Sequence, residues 1–183
     1  MSNRSLEPSA EPIEHSLAWD DPTQTRTTEV DPSPWERARS GLEQGRTFWL
    51  ATLHPGGRPH VVPILAVMVD GVLHFCASDR SRKAKNLATD PHCAVTTSGD
   101  SLDLVVEGVA EAVTDNTTAQ RVAAAYEAKY GWQPEARQEM LWGDGAPTAG
   151  PPPYRIYRVA PTTAFGFPTD DTTIPTRWSF AES

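Results

Sequence analysis

The 183-residue sequence is short of cysteine, of basic charge and of long apolar runs. Each shortage excludes something. Two cysteines, Cys76 and Cys93, are too few for a disulfide-stapled scaffold. With no histidine at matching spacing they make no zinc site. Each sits in a strand-like apolar run, so both read as small buried hydrophobes, reduced in a cytosolic setting. His54, His60, His74 and His92 show no ligand spacing on one helix face, so no metal is expected. No stretch approaches the ~20 apolar residues of a membrane span. The start of the chain carries Glu7, Glu11 and Glu14 where a secretory signal would be apolar. The expectation is a cytoplasmic protein that does not enter a membrane.

Net charge is -8, with 16 basic against 24 acidic residues. That balance argues against nucleic acid as a partner, since nucleic acid selects a broad basic face. Residues 1–32 hold seven acids and two bases, so the tail alone carries -5 and the body about -3. A Gly-x-Gly-x-x-Gly fingerprint, a phosphate-loop lysine motif and a nucleophile elbow are all missing.

What is there is a β-rich chain. Residues 1–32 are rich in Ser, Thr, Pro and acids and lack hydrophobic periodicity. They read as a mobile tail or an arm that orders on contact; residues 33–183 form one domain. Ser33-Pro34-Trp35 opens a helix that Gly45 ends. Phe48 to Leu53 is a strand. Pro59 to Val69 is a long second strand interrupted at Pro63, which marks an edge, a bulge or a ligand's approach. Asp70-Gly71 is a two-residue hairpin turn, and Val72 to Ser78 follows as the third strand. A helix is expected over Ser81 to Thr89, strands over His92 to Thr97 and Leu102 to Val113, and a helix over Thr117 to Tyr130. Gly143 to Pro153 is a Gly/Pro-rich loop. Tyr154 to Val159, Thr163 to Phe167 and Thr176 to Phe180 are closing strands. The fold class is mainly β: a split antiparallel β-barrel of six or more strands with short flanking helices.

The densest chemical feature is Arg80-Ser81-Arg82-Lys83-Ala84-Lys85-Asn86-Leu87. Four of the 16 basic residues lie within six positions. They follow a strand and open a helix, whose first amides lack partners and carry partial positive charge. This is either a phosphate cradle or a solvated basic face.

His60-Val61-Val62-Pro63-Ile64, Asp70-Gly71-Val72-Leu73-His74-Phe75, the Ser81 to Leu87 run and Asp90-Pro91 together resemble the pyridoxamine 5'-phosphate oxidase-like superfamily. The likeness spans about residues 35 to 113 and returns at Thr176 to Phe180. It implies a homodimer with FMN or the deazaflavin coenzyme F420 lying across the interface. By that resemblance Ser81, Arg82 and Lys83 contact the cofactor phosphate. Val62, Pro63, Ile64, Ala77 and Ser78 face its ring, and Trp178 stacks or packs nearby. The stretch from His60 to Met68 has no Lys or Arg, unlike the oxidase proper, and the chain looks closer to the F420-dependent branch. Arg80 and Lys85 suit the acidic oligoglutamate tail of that coenzyme. The implied activity is hydride transfer to a small conjugated substrate, with the proton supplied by a protein group or water and His60 as the first candidate donor. The alternatives are an FMN-dependent oxidase or reductase and a non-catalytic cofactor or tetrapyrrole binder.

Overall fold

A computed structural model describes residues 7–13, 31–145, 151–170 and 173–181. In chain order the elements are β1 (Ser9–Pro12), α1 (Trp35–Gln44), β2 (Phe48–Leu53), β3 (Pro59–Ile64), β4 (Ala66–Val69), β5 (Val72–Ser78), α2 (Arg82–Thr89), β6 (His92–Ser98), β7 (Leu102–Ala112), α3 (Asn116–Tyr130), β8 (Glu135–Arg137), β9 (Met140–Trp142), β10 (Tyr154–Pro168) and β11 (Thr176–Ser179). The eleven described strands join one antiparallel sheet, with β1-β11-β10-β7-β6-β2-β3 as its main path. The β4–β5 hairpin attaches through β5 to β10, and the β8–β9 hairpin attaches through β9 to β10. The expected mainly-β split barrel with short flanking helices is what forms.

β10 holds the two parts together. Its first half pairs Tyr154–Val159 with β5, and from Tyr157 onward it also pairs with β7. Two closing strands were expected, Tyr154 to Val159 and Thr163 to Phe167. They are one continuous strand with an irregularity between Pro161 and Thr163. A proline cannot give its ladder proton, so the register slips there without the strand ending.

Local signals set most boundaries. Asp70 (φ 54) and Gly71 (φ 75) make the left-handed pair that joins β4 to β5. Asp115 caps α3 by accepting from the Thr118 amide at 2.7 Å, and Gly131 (φ 71) ends that helix. The long second strand is broken at Leu65, not at Pro63. Pro63 stays in the ladder opposite Trp49, tolerated because β3 is the end strand of the path. At the break, the Tyr126 hydroxyl donates to the Leu65 carbonyl at 3.1 Å. Lys129 Nζ (3.1 Å) and the Tyr130 hydroxyl (2.9 Å) donate to the Ala66 carbonyl. The C-terminal turn of α3 thus satisfies the carbonyls that the sheet gives up.

Two elements carried no sequence signal. β1 lies within the expected tail and is exposed at every position, yet it pairs along β11 from Ser9↔Ser179 to Pro12↔Thr176. The rest of that tail, 1–6 and 14–30, lies outside the described residues. The β8–β9 turn uses Gln138 (φ 51) and Glu139 (φ 59), which are not turn-favouring residues.

Two apolar cores result. Phe48, Leu50, Phe75, Val95, Leu104 and Trp178 belong to the barrel core. Val67, Cys76, Val122, Tyr126, Tyr154 and Ile156 fill the layer under α3. Both cysteines are free and buried, and burial pushes each thiol up to about 12. No helix among the described residues is long and apolar enough to cross a membrane.

Gly108 leaves no room for a side chain: a methyl there would meet the Ala160 oxygen at 2.2 Å. Gly108→Ala is expected to destabilise by about 1–3 kcal/mol, read from urea midpoints, because the obstacle is backbone. A disulfide reagent at pH 8 is expected to leave both thiols untouched in the native protein and to count two after denaturation. The raised thiol pKa values stabilise the fold fully below the unfolded value of 9.0, and that contribution is lost as pH climbs toward 12. Urea midpoints should therefore fall above pH 9.

Candidate functional site

Helix α2 is short and amphipathic, and its two faces divide the basic run. Residues Lys83, Ala84, Asn86 and Leu87 face inward, following the helical period. Arg82 and Lys85 lie exposed on the outer face, and Arg80 is exposed in the turn before it. Ser81 is the N-cap: its hydroxyl accepts from the Ala84 amide at 3.3 Å. The Ser81 amide closes the preceding turn onto the Ser78 carbonyl at 2.9 Å. Helix geometry leaves the Arg82 amide without an acceptor in its own turn.

The expected cradle is therefore split. Arg80, Ser81, Arg82 and Lys85 cluster at the surface, while Lys83 is only 4% exposed. Burial lowers the Lys83 pKa, and the nearby Cys76 opposes that shift. Lys83 carries its charge beneath the helix start, not beside Arg82 at the surface. The reason is the helical period, which puts positions 83, 86 and 87 on one side.

Ala77 and Ser78 end β5 and are both buried. Across the ladder from Ala77 stands Arg155 of β10, which forms a two-pronged ion pair with Asp79 at 2.9 and 2.9 Å. This pair holds the Asp79 carboxyl below the usual carboxylate range. A groove of about 420 Å³ runs along α2 between Asp79, Lys85, Arg155 and Tyr157. Arg155 escaped the sequence reading because its place beside residue 79 depends on a pairing across more than seventy residues.

The other side of α2 meets β2. Asn86 Nδ2 donates to Thr52 Oγ1 at 3.0 Å, with both residues buried. Thr52 stands opposite His60 in the β2–β3 register, and Leu50 stands opposite Val62. Opposed residues share a sheet face, so Thr52, His60 and Val62 look the same way. Ile64 is buried in the barrel core, while Val62 and Pro63 are half-buried. Among the described residues, three buried side-chain polar atoms have no partner: Ser33 Oγ, His60 Nδ1 and Asn86 Oδ1.

Trp178 requires a correction. It is fully buried inside this one chain, its indole N–H donates to the Ser33 carbonyl at 3.1 Å, and Trp35 packs edge-on at 5.5 Å. Gly166 lies so close that a methyl there would meet the ring at 2.5 Å. No face of the indole is open to a ligand; it is a core residue.

The outward face of β2 and β3 is apolar. Val61 (55% exposed), Trp49 (48%) and Leu53 (40%) stand out from it. Among the described residues no three His, Cys, Asp or Glu side chains gather as metal ligands would.

No curated protein matches the sequence. Among solved structures, the chain is similar to a heme-binding protein from Mycobacterium smegmatis, at TM-score 0.57 and 21% identity. That match covers 75% of this chain and 55% of the other, so the chain spans about half the length of that relative. A conserved hypothetical protein from Mycobacterium tuberculosis matches at TM-score 0.58 and 22% identity, covering 79% of this chain and 90% of that one. An FAD-binding protein from Mesorhizobium loti matches at TM-score 0.55 and 19% identity, covering 83% and 99%. At these identities the likeness is one of fold. The sequence itself matches the family profile described as pyridoxamine 5'-phosphate oxidase over residues 34–168, from the start of α1 to the end of β10. By that match, the chain belongs to the pyridoxamine 5'-phosphate oxidase family.

Proposed function

We propose that this chain is an oxidoreductase that uses coenzyme F420 to transfer hydride to a small conjugated substrate. One observation carries the reading. Three exposed cations, Arg80, Arg82 and Lys85, surround the Ser81-capped start of α2 in a chain whose net charge is -8. A phosphate fits that arrangement, with the Ser81 hydroxyl, the first-turn amide of Arg82 and the arginine forks as its donors. Lys83 adds a positive charge from below the helix start. Arg80 and Lys85 match the acidic tail that distinguishes F420 from FMN.

Val62 and Pro63 on β3, with Ala77 and Ser78 at the end of β5, would border the ring. The reduced deazaflavin supplies the hydride when bound; the chain's own residues grip, orient and exclude water. His60 on β3, opposite Thr52, is the proposed proton donor, through its imidazole N–H.

The apolar outward face of β2 and β3 supports a homodimer. Val61, Trp49 and Leu53 would be buried by a second copy, and β3 would then lie at the seam, bringing the ring site to the interface.

Titrating the purified protein with F420 and, separately, with FMN and heme, followed by tryptophan fluorescence, tests the cofactor. Tight F420 binding with weak FMN and heme binding is the expected result. Preference for FMN would move the protein to flavin chemistry, and preference for heme without turnover would make it a binder. Arg82→Ala should weaken the preferred cofactor about 10- to 100-fold, as expected for loss of a charged hydrogen bond worth about 1.5–3 kcal/mol. Unchanged affinity would remove Arg82 from the cradle. Val61→Glu should shift the protein from dimer to monomer in sedimentation analysis; an unchanged dimer would place the interface elsewhere.

A further inference from the structure

Two of the three unpartnered buried polar atoms lie on either side of one threonine. Asn86 is anchored by its Nδ2, which donates to Thr52 Oγ1 at 3.0 Å, and this leaves its Oδ1 buried and bare. His60 stands opposite Thr52 on β3, and its Nδ1 is also buried and bare. Its strand is held to the same threonine, whose hydroxyl reaches the His60 carbonyl at 3.5 Å. Burying a polar atom without a partner costs on the order of 1–3 kcal/mol. Both residues are tied to Thr52, and each such group in a native core calls for a partner. The two atoms are also complementary. The amide oxygen only accepts, and a ring nitrogen donates in one of its two tautomers. They do not bond each other directly, but a single water between them would satisfy both: it would accept from Nδ1–H and donate to Oδ1.

We propose that Asn86 is a positioning residue for His60, acting through one buried water. Thr52 aims the amide, the amide oxygen orients the water, and the water holds the imidazole in its Nδ1–H tautomer. His60 as a whole is only half-buried, so its other edge reaches the surface beside Val62. With Nδ1 protonated, neutral His60 presents an Nε2 lone pair at that edge. It accepts a hydrogen bond or a proton there, and it gives a proton only as the imidazolium. The chemical consequence rests on the reading above, in which that edge faces the ligand; the tautomer does not.

The tautomer can be read without any cofactor, from long-range ¹H–¹⁵N NMR of the imidazole rings in the full-length protein. A His60→Gln spectrum assigns the His60 signals. Wild type is expected to show Nδ1–H. Asn86→Leu should shift His60 toward the Nε2–H form that imidazole ordinarily prefers in water. Asn86→Asp, which keeps an acceptor oxygen, should retain Nδ1–H. A merely structural role for Asn86 would not make the aspartate variant differ from the leucine variant in this readout. Should Asn86→Leu fail to fold, Thr52→Val removes the anchor alone and should give a mixture of tautomers. An Nε2–H ring in wild type, or a tautomer indifferent to both Asn86→Leu and Thr52→Val, would overturn the proposal. Failure to bind F420, FMN or heme would leave the tautomer result intact and remove only its catalytic meaning.

Discussion

Where β10 passes Gly108, two backbones approach so closely that the Ala160 oxygen fills the space of a side chain. This contact sits beside the slip between Pro161 and Thr163, in the stretch where β10 gives up β5 and runs on beside β7 and then β11. A strand that belongs to both parts of a sheet must bend, and bending brings backbones together. A side chain at position 108 would push β7 and β10 apart where β10 passes from β5 to β7. β10 in turn fixes the end of β5 through its ladder from Tyr154 to Val159, and α2 begins soon after that end. The placement of the basic cluster, and of Arg155 beside Asp79, follows from that ladder.

Helix α2 shows how eight residues serve two purposes. Its outer face concentrates positive charge on an acidic protein, which focuses the local field more sharply than the same residues spread over a neutral surface. Its inner face is not simply apolar. Ala84 and Leu87 join the barrel core, but Lys83 and Asn86 are buried with them. Charges and amides in such positions are costly unless they are answered. That they occur together, under a helix start and against the strand next to the sheet's end strand, distinguishes this side of the barrel from the rest of the core. The layer under α3 uses its polar groups differently. There Tyr126, Tyr130 and Lys129 answer carbonyls left open by the break between β3 and β4. Those groups are fully engaged in holding the fold.

By itself the sequence determined the elements whose signals are local. The Asp70-Gly71 turn, the opening of α1 after Ser33-Pro34 and its stop at Gly45 each depend on neighbours a few residues apart, so composition and spacing reveal them. The mainly-β class and the basic opening of α2 followed from the same signals, and the ordered motifs pointed to the family that the profile match identifies. Tertiary structure alone decided what depends on partners far along the chain. β1 is exposed at every position and is placed by its pairing along the edge of β11. β10 is one strand because β5 and β7 pair with it in succession across Pro161. Trp178 is a core residue because Gly166 of β10 and the Ser33-to-Trp35 segment close around it from two distant parts of the chain. Lys83 is buried because β2 and β5 take the inner face of α2. Arg155 comes to Asp79, and Asn86 to Thr52, only through ladders joining distant residues. Local propensity can place a residue on a helix or a strand; only packing decides which side of it meets water.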